Sequence, residues 1–221
     1  MKKIRLTILL TMLLCMFGPN ALAHDIEVEN ADGVKIYYNY INDGTELEVT
    51  CQGNNTNSCA YSGTVVIPEE VTYMNMTRKV TSIGGWAFSA CSGLTSVTIP
   101  NNVTNVGYSV FQGCTNLKDI SIGNGLTTIE EMMFYECSSI VSINIPSSVT
   151  AIKAVAFGGC SSLTSIVLHE NITTINGSAF FGCSNLKELT IEDGNNELFF
   201  TNPFISSECT CFSTSYLCIR L

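Results

Sequence analysis

Positive charge is scarce in this sequence. The chain has 221 residues, with 10 Lys and Arg against 19 Asp and Glu. Three of the cations, Lys2, Lys3 and Arg5, lie at the N-terminus, so the remainder keeps seven against 19 and has a net charge near −12. Proteins bind nucleic acids and anionic membrane surfaces through basic faces. The composition therefore argues against both as partners.

Histidine is almost absent, so the sequence has few side chains suited to acid–base catalysis or metal binding. His24 and His169 stand in no local pattern with a nucleophile and an orienting group. Phosphate-binding glycine loops, nucleophile elbows and zinc-protease motifs are missing as well. Cys209, Cys211 and Cys218 are grouped, but a closed zinc site needs four ligands and this tail offers no fourth. We predict no enzyme activity, no cofactor and no metal; a hydrolase with an unrecognised site is the distant alternative.

Long apolar runs are absent beyond the first residues. The basic start is followed by an apolar run from Ile4 to Phe17 and by Ala21-Leu22-Ala23, the small-x-small pattern of a signal-peptide cleavage site. The run is shorter than the roughly 20 apolar residues that span a membrane, and Gly18-Pro19 ends it. We predict a signal peptide over residues 1–23, and export to a secreted or cell-surface location without later membrane insertion.

Cysteine, in contrast, is abundant and regularly spaced. Five cysteines follow one another at intervals of 23 residues: Cys91, Cys114, Cys137, Cys160 and Cys183. Each has phenylalanine three residues before it and leucine or isoleucine three residues after it, followed by an apolar pair at plus six and plus eight. A period in the twenties is typical of a solenoid, whose units stack because none can bury its apolar side alone.

The repeat divides the chain. Residues 80–194 hold five 23-residue repeats, and residues 195–221 are a degenerate closing repeat or an irregular tail. Residues 24–79 are predicted to form a β-rich N-terminal cap. It contains a hairpin turning at Asn42-Asp43-Gly44, a half-repeat at 59–71, and an inserted loop or small hairpin around 73–79.

Each repeat has two parts. The first, such as Leu94-Thr-Ser-Val-Thr-Ile99, alternates in polarity and is β-branched, which predicts a strand. The second returns the chain to the next repeat, and we predict a short extended piece and a helical or 3₁₀ turn around the phenylalanine. Together they predict a solenoid with a parallel sheet on one face. The strand pattern resembles that of leucine-rich repeats, and this resemblance implies a leucine-rich-repeat solenoid, a right-handed superhelix of the β/α type.

The Ala-Phe-x-x-Cys segments, as at Ala87–Cys91, Ala156–Cys160 and Ala179–Cys183, resemble the BspA-like, Treponema-type leucine-rich repeats. This resemblance implies a bacterial secreted or cell-surface protein. It also implies that the repeats mediate adhesion to proteins, either of the host matrix or of other cell surfaces.

The repeated cysteines have two interpretations. Export favours a disulfide framework. However, side chains stacked in a ladder point the same way, and buried free cysteine behaves as a small hydrophobic residue. We predict a structural ladder of buried thiols at Cys59, Cys91, Cys114, Cys137, Cys160 and Cys183. The state of Cys51, Cys209 and Cys218 stays open, with a Cys209–Cys218 bond as one alternative.

The outward positions of the predicted strands form the candidate binding face: Ser96, Thr98, Asp119, Ser121, Ser142, Asn144, Ser165, Val167, Glu188 and Thr190. This set is rich in hydroxyl groups and lacks the aromatic residues that usually dominate binding energy. The predicted function is a non-enzymatic protein-binding or adhesion module; the alternative is a purely structural surface protein or a fragment of a larger adhesin. Trp86, Tyr108 and Met132 lie on the returning segments, where they either form an apolar strip or fill gaps between repeats.

Overall fold

The computed structural model describes residues 24–52, 61–191 and 199–201. The predicted signal peptide, Cys59 and the tail with Cys209, Cys211 and Cys218 lie outside the described residues. The first part contains β1 (Ile26–Glu29), β2 (Lys35–Ile41), a 3₁₀ helix (Asn42–Gly44), β3 (Glu46–Thr50), β4 (Gly63–Val66), β5 (Glu70–Tyr73) and β6 (Met76–Ile83). The repeats contain β7 (Leu94–Ile99), β8 (Asn105–Val106), β9 (Asp119–Ile122), β10 (Thr128–Ile129), β11 (Ser142–Asn144), β12 (Ala151–Ile152), β13 (Ser165–Leu168), β14 (Thr174–Asn176), β15 (Glu188–Ile191) and β16 (Phe199–Thr201).

The N-terminal region contains three antiparallel pairs of consecutive strands, β1–β2, β2–β3 and β5–β6. β2 and β3 pair antiparallel across Asn42–Gly44, which confirms the hairpin predicted there. β5 and β6 also pair antiparallel, and their turn residues Met74 and Asn75 both have positive φ. The insert before the first full repeat is therefore a small hairpin rather than an irregular loop.

The N-terminal region extends the strand pairing of the repeats. β4 pairs parallel with β7, and Val65 lies opposite Val97, as the register of the half-repeat requires. β3 pairs parallel with β6. Val65 and Ile67 are buried. The strands of the N-terminal region thus continue the parallel pairing of the repeats.

Successive repeats stack through parallel strand pairs offset by 23 residues, such as Val97 with Ile120 and Ile152 with Ile175. β4, β7, β9, β11, β13 and β15 form what we call the sheet face. β3, β6, β8, β10, β12, β14 and β16 form the return face. The turn face consists of the segments that carry the phenylalanines and cysteines. β16 pairs with β14 at an offset of 25 residues, so two extra residues precede this strand.

A stack of aromatic rings runs through the core. Phe88, Phe111, Phe134, Phe157 and Phe180 follow one another with ring centroids 5.1–5.6 Å apart. Tyr61 extends the stack at its N-terminal end, 4.4 Å from Phe88, and its hydroxyl donates a hydrogen bond to the Thr50 carbonyl at 2.6 Å. The column of stacked rings therefore ends at a tyrosine, whose hydroxyl group is satisfied by a hydrogen bond.

The helical part of the predicted β/α superhelix is wrong. No α-helix occurs in the residues described, and each segment around a phenylalanine is a series of turns. Residues five and one positions before each cysteine have positive φ, in order Trp86, Ala90, Ser109, Gly113, Met132, Glu136, Val155, Gly159, Ser178 and Gly182. A left-handed residue cannot continue a right-handed helix, so these segments turn corners instead. The parallel pairing also occupies two faces, not one.

Candidate functional site

The ten residues predicted to form the binding face lie in two rows along the sheet face. None of them is buried. Ser96 lies opposite Asp119, and Thr98 opposite Ser121, while the rows in the later repeats run Ser142–Ser165–Glu188 and Asn144–Val167–Thr190. Each row is interrupted at the same place, because β9 and β11 belong to different sheets.

This interruption is visible in the backbone hydrogen bonds. The Lys118 N–H donates to the Thr95 carbonyl at 2.9 Å, and the Thr164 N–H donates to the Val141 carbonyl at 3.0 Å. The bond that would continue this series, from the Val141 N–H to the Lys118 carbonyl, is not formed among the described residues. The sheet face therefore consists of two blocks, β4-β7-β9 and β11-β13-β15.

The return face is interrupted between the same two repeats. Thr104 N–H donates to the Thr81 carbonyl and Thr150 N–H to the Thr127 carbonyl, but the intervening bond from Thr127 to Thr104 is missing in this described region. β8 and β10 accordingly lie in separate sheets. We call the opening between β9 and β11, and between β8 and β10, the seam.

The turn face stays paired across the seam. Phe111 N–H donates to the Met133 carbonyl at 2.9 Å, and Gly113 N–H to the Tyr135 carbonyl at 2.7 Å. The Cys137 thiol donates to the Phe111 carbonyl at 3.0 Å. The two blocks are therefore joined along one face and open along the other two.

A cleft of about 320 Å³ lies on the sheet face at the seam. Six residues of the candidate binding face line it: Ser96, Thr98, Asp119, Ser121, Ser142 and Asn144. Lys118 also contributes, and the inward-facing Ile120 and Ile143 are reached through the opening. Ile143 is 8% exposed, whereas its counterpart Ile166 in the next repeat is 1% exposed. The cleft has a polar rim and an apolar floor.

The loop after β9 differs from its counterparts. Gly123 stands at the position that Pro100 and Pro146 occupy in two other repeats. At Gly125, a Cβ atom would lie 2.2 Å from the Asn101 carbonyl oxygen and 2.3 Å from that of Val103. The loop therefore packs backbone against backbone on the preceding repeat, immediately before the chain enters the open side of the seam.

Both histidines lie away from the cleft. The His24 ring is buried against Tyr37, at 4.6 Å between ring centroids, and His169 Nε2 contacts the Ile145 carbonyl. Neither histidine lines the cleft. The described ranges contain no group of three or more metal-binding side chains and no helix long and apolar enough to cross a membrane. The chemistry that the cleft offers is hydrogen bonding from hydroxyl, amide, carboxylate and backbone groups.

Four of the repeated cysteines are buried thiols: Cys114, Cys137, Cys160 and Cys183. Each thiol donates at 3.0–3.1 Å to the carbonyl of the phenylalanine 26 residues earlier. The prediction of a free thiol is wrong for Cys91, which is disulfide-bonded. These four thiols lie within the core and are separate from the cleft.

These four thiols should resist alkylation in the folded protein. Burial raises the pKa of Cys183 to about 12 and also raises the pKa values of Cys137 and Cys160, so the reactive thiolate is scarce at neutral pH. Peptide mass spectrometry after iodoacetamide treatment should show modification of all four only when denaturant is present. Rapid modification of Cys137 in the native protein would contradict the buried ladder.

The same pKa shifts make stability dependent on pH. Thiols in the unfolded chain ionise near pH 8.5, whereas the folded pKa values are higher. Their contribution to stability is therefore fully present below about pH 8.5 and is lost as the pH rises towards 12.

The sequence predicted the outward rows but not the seam. Lys118 was missed because its position is occupied by threonine in two repeats, by valine in one and by lysine again only in the last: Thr95, Val141, Thr164 and Lys187. The sequence feature that could have indicated the seam is the loop Gly123-Asn-Gly125. No other repeat has glycine at both of these positions.

Comparison with known proteins relates this fold to a family of repeats and to solved structures. A family model described as the BspA-type leucine-rich-repeat region matches residues 81–210 in six copies. A leucine-rich cell-surface protein from Faecalibacterium prausnitzii is similar at 25% identity and a TM-score of 0.64, over 80% of this chain and 44% of that one. This chain therefore spans less than half the length of that relative. No curated protein matches the chain.

Two further solved structures are similar. The leucine-rich-repeat protein of T. pallidum has 25% identity and a TM-score of 0.56, over 71% of this chain and 80% of that one. A leucine-rich-repeat protein from Bacteroides ovatus has 24% identity and a TM-score of 0.52, over 77% of this chain and 55% of that one. At 24% identity, the similarity to the B. ovatus protein supports only a shared fold.

Proposed function

Because the chain belongs to the BspA-type leucine-rich-repeat family, we propose that it is an extracellular module that binds a protein ligand through the sheet face. The similar protein from F. prausnitzii is described as a cell-surface protein, which supports the same location here. In this proposal the repeats wind as one solenoid, and adhesion to host matrix proteins or to other cell-surface proteins is the biological role. No catalytic step is assigned, since the family consists of repeat surface proteins rather than a class of enzymes.

The cleft at the seam is the observation that carries this proposal. Parallel strands normally satisfy each other's backbone groups, but β9 and β11 face each other without pairing. Backbone N–H and C=O groups at such an edge favour a hydrogen-bonding ligand. The rim adds hydroxyl, amide and carboxylate groups, and Ile120 and Ile143 supply an apolar floor.

The width of the opening limits how a ligand can engage it. Cα atoms of β9 and β11 still approach within 8 Å, whereas an inserted strand would hold the two about 9.6 Å apart. A ligand should therefore insert a side chain between the strands and contact the rows on either side. The face can supply the roughly 800 Å² that each partner contributes to a standard protein interface.

Substitutions in the cleft test this proposal. Ser121→Arg combined with Asn144→Arg should fill the opening and weaken binding by about tenfold or more, as expected when the centre of an interface is lost. The matched control is Thr150→Arg, since Thr150 is exposed on the return face. Binding to a panel of immobilised extracellular matrix and cell-surface proteins would be measured by surface plasmon resonance.

The outcomes distinguish binding through the cleft from binding elsewhere and from a purely structural role. Loss of binding in the cleft variant, with binding retained in the Thr150 control, supports the proposal. Equal binding by all variants would place the ligand elsewhere. Failure of the unaltered protein to bind any member of the panel would favour the purely structural alternative.

A further inference from the structure

Two exposed aromatic side chains stand away from the sheet face, at the border of the return and turn faces. The rings of Trp86 and Tyr108 meet edge to face, with centroids 4.2 Å apart and an interplanar angle of 71°. Trp86 is 41% exposed and Tyr108 is 48% exposed. About half of each side chain is therefore uncovered, so these rings do more than fill gaps between repeats.

The backbone beneath the two rings holds them at the surface. Trp86 has a φ of 57°, in the left-handed region that bulky residues rarely adopt. Its N–H donates to the Tyr108 carbonyl at 3.1 Å, which joins the two repeats. A Cβ on Gly107 would lie 2.3 Å from the Gly85 nitrogen, so the two backbones touch here without side chains between them. The Tyr108 ring lies over this backbone, since a Cβ on Gly85 would meet the ring at 3.5 Å.

Carboxylates flank the pair on both sides. On the N-terminal side, the Glu48 carboxylate of β3 accepts a hydrogen bond from Ser82 at 2.9 Å and lies 3.0 Å from where a Cβ of Gly84 would stand. In the following repeat, Glu131 occupies the position that corresponds to Tyr108, since Ser109 N–H donates to the Glu131 carbonyl. Glu130 precedes it in the chain.

None of these three glutamates forms an ion pair within the described ranges, where the ion pairs involve Glu27. The aromatic pair thus stands between negative charges that lack a cationic partner in this part of the chain. The net charge of −9 for the whole sequence adds to the negative potential of the surroundings.

Aromatic faces beside carboxylates attract cations, above all the planar guanidinium group, which stacks on rings and binds carboxylates. The protein already uses this contact internally, because the Arg78 guanidinium lies 4.8 Å from the centroid of the Tyr40 ring. We propose that Trp86 and Tyr108, with Glu48, Glu130 and Glu131, form a second binding site, which takes an arginine or lysine side chain of a basic segment in a protein partner.

This aromatic site uses other residues than the cleft. It shares no residue with the cleft lining and none with the sheet face, although Tyr108 follows β8 and Glu130 follows β10 on opposite sides of the seam. A ligand held at both sites would gain affinity from their linkage. The two sites are tested with different variants and different ligands, so a negative result at one leaves the binding measurement at the other standing.

The experiment uses a property of the sequence: Trp86 is its only tryptophan. Intrinsic tryptophan fluorescence therefore reports on this site alone. Titration with an amidated hexa-arginine peptide should produce a saturable change in emission, and the apparent Kd should rise with NaCl concentration. An uncharged hexaglutamine peptide should produce no saturable change at the same concentrations.

Variants separate a specific site from general attraction to an acidic protein. Tyr108→Ala should raise the Kd for hexa-arginine about two- to fivefold. Glu130→Gln with Glu131→Gln should raise it by a similar or larger factor. The matched control is Glu69→Gln with Glu70→Gln, an exposed pair of adjacent glutamates elsewhere that changes the net charge equally. Circular dichroism would establish that each variant is folded.

The expected result is weaker binding in the two site variants and unchanged binding in the Glu69/Glu70 control. Equal weakening in both glutamate variants would show that only total charge matters and would overturn the proposal. Absence of a saturable fluorescence change, or an equal response to hexaglutamine, would also overturn it. A salt-independent response to maltohexaose instead of hexa-arginine would assign the rings to sugar stacking.

Discussion

Replacing Phe134 by alanine should lower the free energy of unfolding by about 3–5 kcal/mol. The side chain is fully buried, and its ring stacks between those of Phe111 and Phe157 at 5.6 and 5.4 Å. Removing it leaves a void in the middle of the column, which neighbouring repeats cannot fill because their own rings are fixed by the same stacking. Equilibrium denaturation in guanidinium chloride would measure the loss, and an unchanged midpoint would contradict the stacked core.

Phe134 is expected to do more than fill space, because its contact with Phe111 crosses the seam. Repeat proteins unfold cooperatively only when neighbouring units are well coupled. Phe157→Ala removes an equally buried ring within the second block and serves as the matched comparison. Both variants should lose similar stability, but only Phe134→Ala should lower the denaturant m-value or split the transition in two.

A substitution on the surface should change the free energy of unfolding much less than the loss of a buried ring. Thr98→Ala removes an outward-facing side chain of the sheet face and should change the free energy of unfolding by less than about 0.5 kcal/mol. A larger change would mean that the outward rows take part in folding and would weaken their interpretation as a binding surface.

Gly125→Ala should lower the free energy of unfolding by about 2–3 kcal/mol. The added methyl group would meet the carbonyl oxygens of Asn101 and Val103 at 2.2 and 2.3 Å, and both belong to the backbone, which cannot rotate away. Relief requires the loop to move off the preceding repeat. Thermal unfolding followed by circular dichroism would detect the loss of stability.

Gly85→Ala is the control for this glycine. Its added Cβ would have no neighbour closer than 3.5 Å, an ordinary van der Waals contact. If both substitutions destabilised the protein equally, the close approach at Gly125 would not be the cause. If Gly125→Ala were neutral, the packing of the loop against the preceding repeat would be wrong.

Much of the architecture follows from the period of the sequence. The spacing of the cysteines and of the flanking Phe and Leu placed these repeated side chains in the core, and the pair at plus six and plus eight set the register, as Val65 opposite Val97 shows. The pattern of apolar residues was enough to predict the register, because parallel pairing gives every repeat the same local conformation. Only side chains that recur at the period of the repeat can then be buried.

The turn segments were harder to predict. Their sequence, with phenylalanine three residues before cysteine, fits one turn of a helix as well as it fits a corner. The choice depended on left-handed residues such as Trp86, Met132 and Val155, which are not the glycines that normally indicate positive φ. Only the surrounding repeats, through bonds such as Phe111 N–H to the Met133 carbonyl, stabilise those conformations.

By itself, the sequence determined the repeat, its register, the buried phenylalanines and the outward rows, because all of these follow from periodic apolar positions. The tertiary structure alone decided that pairing fails between β9 and β11 while the turn face remains joined, and so placed the cleft. The physical reason is that hydrogen bonding between neighbouring repeats depends on distances of a few tenths of an ångström. Those distances are set by how loops such as 123–125 pack on one another, and no periodic pattern encodes that packing.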